Sequence, residues 1–191
     1  MKTRYMTKFD EINSIVQTAW RKGDIEDEIL DLLVEAYMIG IGMACEDFKR
    51  EPDYDAYVMY EIIFKDIDGE TVTDRIHRWV EDDDLPAMER LAESEFHRVA
   101  NEASQRKAAQ IDPTATKTWE TMEDDRVRDT HEYLQSMTVG VKDYFVTWTG
   151  AKALYPGGFE SAEENCNCRC YLTYRQGSLK SQTETTDQTE M

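Results

Sequence analysis

Apolar residues recur at helical spacing through most of the first 110 positions and alternate only afterwards, so the chain divides into a helical part and a smaller mixed part. Phe9, Ile12, Val16, Ala19 and Trp20 form one stripe after a Thr7/Asp10 start, and Gly23 ends it; the spacing predicts a helix over 7–22. Asp24 restarts the pattern. Ile25, Ile29, Leu32, Leu33, Ala36, Met43 and Ala44 predict a second helix over 25–49, folded back on the first, in which Gly40 and Gly42 either weaken the middle or admit a close neighbour. Between 57 and 66, strand-forming residues coincide with helical spacing, so periodicity leaves both open, with helix the preferred reading. Residues 71–80 predict a short helix with Ile76 and Trp79 inward, and the acidic run 81–84 a solvated loop. Pro86 opens a helix over 85–110 with Met88, Leu91, Ala92, Phe96, Val99 and Ala103 as its stripe.

After Asp112-Pro113 the period changes. Residues 117–122 predict a strand, Asp124 or Asp125 an N-cap for a helix over 125–135, residues 145–148 a second strand and Tyr155-Pro156-Gly157-Gly158 a turn. In the last strand, 168–175, alternation puts Cys168, Cys170, Leu172 and Tyr174 on one buried face. Trp119, Val127, Leu134, Phe145 and Leu172 are expected to share a core with the two cysteines. From 176 onward the chain is polar with almost nothing to bury, and a disordered tail is expected. The fold class is therefore α+β: an N-terminal helical arm or bundle (1–84), a small mixed α/β domain with a short antiparallel sheet (85–175), and the tail (176–191).

At 191 residues the chain suits one domain, or one domain with a helical arm. Forty Asp and Glu against 22 Lys and Arg give a net charge of −18. Binding to a phosphate backbone needs clustered cations, and none is present, so direct nucleic-acid binding is not expected; an acidic surface suits docking on a basic protein. No apolar run approaches 18 residues and the first residues lack the apolar centre of a signal peptide, so a membrane-free cytoplasmic protein with reduced cysteines is expected.

The densest chemistry lies between Trp119 and Tyr174. Asp124, Arg128 and His131 fall at i, i+4 and i+7 of the expected helix and would share a face. Such a group could orient an imidazole as a base, or could simply cap and brace a small domain. His131 with Cys166, Cys168 and Cys170 is the set able to bind Zn²⁺, although C-x-C-x-C is not the usual knuckle spacing, and buried thiols filling a narrow core are the default. Arg169 could fork onto Asp124, Asp125 or Glu164 and pin the last strand to the helix. His77 and His97 lie on helices with no Cys or carboxylate at ligand spacing, and are taken as surface or packing residues. No G-x-S-x-G, phosphate loop, H-E-x-x-H or dinucleotide-binding glycine pattern occurs.

The order K-x-W, D-D-R-V-R-D-x-H, a Phe, a Gly, Y-P-G and E-x-N-x-N-C-R-C resembles the phage Mu F-like minor head protein family, also called phage head morphogenesis proteins. The resemblance spans roughly residues 90–175 and is strongest at 125–131 and 167–170. It implies a structural motif of Trp119, Asp125, Arg128, His131, Phe145, Pro156, Gly157, Asn167, Cys168, Arg169 and Cys170. It further implies a non-enzymatic virion protein inside the head, acting in capsid assembly or head morphogenesis near the portal. The partners implied are the portal protein and the major capsid or scaffold protein, with host cytoplasm as the site of assembly. The family often carries a basic residue where Glu93 or Glu95 stands, so a role for positive charge there does not transfer. Two alternatives remain: a metal- or His-dependent hydrolase or nuclease using Asp125, Arg128 and His131, and an acidic interaction module that docks on a basic partner surface.

Overall fold

The computed structural model describes residues 2–122 and 127–177. Asp124 and Asp125, the start of the helix expected at 125–135, and nearly all of the expected tail lie outside the described residues. The helical part comprises α1 (Lys2–Lys22), α2 (Ile25–Asp47), α3 (Ala56–Ile63), α4 (Val72–Glu81) and α5 (Leu85–Ile111). α1 begins five residues ahead of the expected start, because Tyr5 extends the Phe9/Ile12/Val16 stripe by one turn and is buried with it. Gly23, at φ +81°, turns the chain from α1 into α2.

The ambiguous 57–66 segment is helical as far as Ile63, its first N–H groups (Tyr57, Val58) held by the Asp55 carboxylate. A Thr71/Asp74 capping box starts α4, and Asp84 with Pro86 starts α5. α5 is the axis of the molecule, buried on almost every side from Glu95 to Ala108, with α1, α2 and α4 packed along it. Gly40 admits the close neighbour: a Cβ there would stand 2.1 Å from the Ala100 carbonyl oxygen, so α2 and α5 approach as closely as they do only with glycine.

Beyond α5 come β1 (Thr116–Glu120), α6 (Asp129–Glu132), β2 (Thr138–Gly140), β3 (Phe145–Val146), β4 (Lys152–Ala153), α7 (Ala162–Asn165) and β5 (Tyr171–Arg175). β1 is central in an antiparallel sheet of order β2-β1-β5, with Trp119 opposite Leu172 and Lys117 opposite both Val139 and Tyr174; β3 and β4 form a separate hairpin. β2 and β4 are two or three residues long, too short to alternate visibly, which is why the pattern does not announce them.

Two expectations need correction. The last strand starts at Tyr171, not Cys168, because Asn167 takes φ +55° and the chain turns at Asn165–Cys168 before meeting β1. Within the described part of 125–135 the helix covers only Asp129–Glu132, since the following N–H groups bond three residues back and Ser136 at φ +61° reverses the chain toward β2. Two cores result. One gathers the helices around Ile12, Ile29, Leu33, Ile62, Phe96 and Val99. The other gathers Trp119, Leu134, Phe145, Leu172, Cys168 and Cys170 under the sheet, with Val127 only half-buried and outside it.

Candidate functional site

Where the two cores meet, a His and Cys cluster is assembled from α6 and the turn before β5, with α5 and α1 against it. His131, from α6, is 1% exposed, wedged edge-on to Trp119 (ring centroids 5.4 Å) and stacked on Phe159 (5.4 Å, 19°). Its Nδ1 lies 3.4 Å from Cys168 Sγ and 3.5 Å from Cys170 Sγ. The nitrogen and the two sulfurs all fall within 4.8 Å of one another. On the other side of the ring, Nε2 stands 3.1 Å from Glu164 Oε2, a close pairing that is off hydrogen-bond geometry. Thr130 donates to the same carboxylate oxygen at 2.8 Å.

The chain around the cluster is shaped to hold it. Arg128, the residue before α6, donates to the carbonyl oxygens of Glu164 and Cys166, so its guanidinium serves as a clip on the loop that carries the cysteines. Asn167, exposed and left-handed, makes the turn that lets Cys168 enter the core; asparagine tolerates this conformation better than most residues. The Trp119 indole N–H is buried without a hydrogen-bond partner. Lys117 is fully buried, donates to Leu154 O at 2.7 Å and lies over the Phe145 ring; burial pushes its pKa down to about 8. The Y-P-G-G turn covers the far side with Pro156 buried. At Gly157, φ +83°, a Cβ would stand 2.9 Å from His97 Cδ2 and 3.3 Å from Arg98 Cα.

His97 corrects the sequence reading. It faces inward from α5 (1% exposed), lowers the pKa of the Cys168 thiol by its charge, and shares Nδ1 with the Tyr5 hydroxyl at 2.6 Å, while its Nε2 has no hydrogen-bond partner. Neither Tyr5 nor His97 was expected in the cluster. The missed signal is the run His97, Asn101, Ser104, Ala108, a second, small and polar stripe on α5, all of it buried. Asn101 donates to the carbonyl of Cys170 at 3.3 Å.

Cys166, by contrast, is exposed and outside the cluster. Arg169 reaches α1, 3.7 Å from Asp10 Oδ1 and over the Phe9 ring, whereas the Glu164 carboxylate is taken by Thr130 and His131. Arg169 thus ties the cysteine turn to α1; of the three partners expected for it, Asp124 and Asp125 lie outside the described residues. Burial pushes against ionising either cysteine, yet the hydrogen bond from Cys170 and the neighbouring His97 and His131 hold the Cys168 thiol well below its ordinary range. Cys170, which gives its proton to that bond and is also buried, is pushed up.

On the opposite side of the Y-P-G-G turn lies a second polar cluster. Arg98 donates to Glu95 (2.7 and 2.9 Å), to Glu102 (3.2 Å) and to the carbonyl of Ile62 (2.9 Å). Arg75 joins Glu95, while Arg106, Lys65 and the Tyr155 hydroxyl join Glu102. Burial would raise both carboxyls, but Arg98 and Arg75 hold Glu95 below its ordinary value, and Tyr155, Lys65 and Arg98 do the same for Glu102. A cleft of about 450 Å³ opens beside this cluster, lined by Lys65, Arg75, Glu95, Tyr155 and Phe159, and does not reach His131. Among the described residues no helix is long and apolar enough to cross a membrane.

Comparison with known proteins finds no match among curated proteins and none among solved structures. The family described as phage Mu protein F like protein matches residues 65–173, which takes in α4 and starts twenty residues ahead of the boundary expected at 85. The match covers Trp119, Arg128, His131, Cys168 and Cys170, and the chain belongs to the phage Mu protein F-like family of phage head proteins.

Proposed function

We propose that this protein is a structural component of the phage head that acts in head assembly by docking on the portal or on the capsid or scaffold protein, with no reaction of its own. The observation that carries this reading is that the motif side chains are turned inward and used as braces. Arg128 grips two main-chain carbonyls, His131 is sealed between Trp119 and Phe159, and Cys168 and Cys170 are buried. A general base has to reach a substrate proton, and His131 faces no cleft of the kind that opens beside Glu95. What is left for partners is the outer surface, with its net charge of −18 and two groups of exposed aromatics: Tyr54, Tyr57 and Tyr60 in and before α3, and Tyr133, Tyr144 and Trp148 around α6 and β3. Aromatic anchors in an acidic surround suit a basic protein face.

The test is a phage in which this gene is interrupted. Heads that are malformed, or that lack infectivity and this protein together, support the reading. Normal infectious heads without the protein, or cleavage of DNA, RNA or peptide by the purified chain that is lost in His131→Gln, would overturn it.

A further inference from the structure

We propose that His97, His131, Cys168 and Cys170 form a tetrahedral site for one Zn²⁺ ion, which fastens the helical core to the sheet. Zinc bonded at about 2.3 Å to sulfur and about 2.0–2.1 Å to nitrogen sets tetrahedral N and S ligands about 3.5–3.6 Å apart. His131 Nδ1 stands 3.4 and 3.5 Å from the two sulfurs, so three of the four corners are already at coordination spacing. The fourth corner falls to His97, whose Nε2 is buried without a hydrogen-bond partner; it lies outside the 4.8 Å group formed by the other three ligand atoms, so the His97 ring closes on the ion as the ion binds. An unsatisfied imidazole nitrogen deep in a core costs stability unless something accepts its lone pair.

The surroundings are those of a metal site. A histidine ligand needs its second nitrogen engaged so that the tautomer and ring orientation are set. His97 meets that need through Nδ1, 2.6 Å from the Tyr5 hydroxyl, and His131 Nε2 has the Glu164 carboxylate 3.1 Å away, within reach of a small reorientation of the ring. Asn101 donates to the Cys170 carbonyl, so the backbone that carries this thiol is steadied from outside as well.

Two soft sulfurs and two imidazoles in a tetrahedron select Zn²⁺ over Mg²⁺ or Ca²⁺, which want oxygen ligands. Two thiolates around a dication leave the ligand shell neutral, the form in which it is least costly to bury. Coordination replaces the remaining S–H bonds with Zn–S bonds and sends the protons to solvent. All four ligand residues are buried, leaving no open position for a substrate, so the site is structural. Cys166, the extra cysteine of the C-x-C-x-C run, is exposed and stays out.

The experiment uses the full chain, purified under reducing conditions, stripped with a chelator and titrated with Zn²⁺ or Co²⁺ alone. One equivalent is expected to bind and to raise the melting temperature. Co²⁺ should give thiolate-to-cobalt charge transfer with the strong visible bands of a tetrahedral complex. Cys166→Ser should bind as the parent does, His97→Gln and His131→Gln should each weaken Zn²⁺ by at least about tenfold, and Glu164→Gln by about 10–100-fold. A stripped protein that neither takes up metal nor changes melting temperature overturns the proposal. So does undiminished binding in His97→Gln, or octahedral Co²⁺ without thiolate bands in the parent protein, a readout that stands even where the cysteine variants fail to fold. None of these outcomes depends on the role in head assembly.

Discussion

The two buried polar clusters on either side of the Y-P-G-G turn answer the same problem in opposite ways. Around Arg98, carboxylates, guanidinium groups, a lysine and a tyrosine pair as opposite charges and hydrogen-bond partners within the chain, with one Arg75 nitrogen left over. Around His131, two thiols and two imidazoles leave an imidazole nitrogen with nothing to bond. The first cluster matches charge with countercharge, while the second offers soft donors of the kind that the proposed ion would take. Gly157 is packed against His97 of the one and the Arg98 backbone of the other.

The sharpest way to break the comparison is Arg98→Met, which strips Glu95 and Glu102 of their shared cation. A loss of about 3–5 kcal/mol is expected in denaturant unfolding, as for one partner removed from a buried ion network. The pH response belongs to the same cluster. Both carboxyls titrate below their unfolded-state values, so they stabilise the fold above the unfolded carboxyl pKa of about 4.3, and that contribution disappears as pH falls through the depressed native values. The acid-unfolding midpoint of Arg98→Met should therefore move to higher pH.

On the other side of the turn, Cys170→Ser in metal-free protein should cost about 1–3 kcal/mol, because a buried hydroxyl there lacks an adequate partner. A variant as stable as the parent would mean that the sulfur is not packed as described. Gly157→Ala places a methyl against His97 in a left-handed backbone and should cost about 1–2 kcal/mol, with Zn²⁺ affinity falling alongside. Smallest is Asn167→Ala, about 1 kcal/mol, with Asn167→Gly close to neutral; equal losses in both would place the effect in the side chain instead of the backbone turn.

The helical half was legible because one apolar stripe per helix suffices when packing is helix on helix. Ile12, Leu33, Phe96 and Val99 are buried where periodicity put them. The inward alternation of Cys168, Cys170, Leu172 and Tyr174 was legible too, even though strand pairing begins only at Tyr171. His97 was not, for a physical reason: its helix is buried on two sides, and its cysteine neighbour lies far along the chain, beyond any spacing rule. Cys166 drops out of the expected cluster because the Asn167 turn carries it outward.

That turn also sets an order of events. β1 can pair with β2 across a short connection, but β5 reaches β1 only after everything between them has been made, and closing the longer loop is the slower step. The α1, α2 and α5 contacts lie earlier and are complete without it. Until β5 docks, His97 has no sulfur beside it and both thiols remain in water. The newly made chain thus passes through a stage in which its most oxidisable residues are its least protected, and oxidation of either thiol at that stage is expected to lower the yield of folded protein.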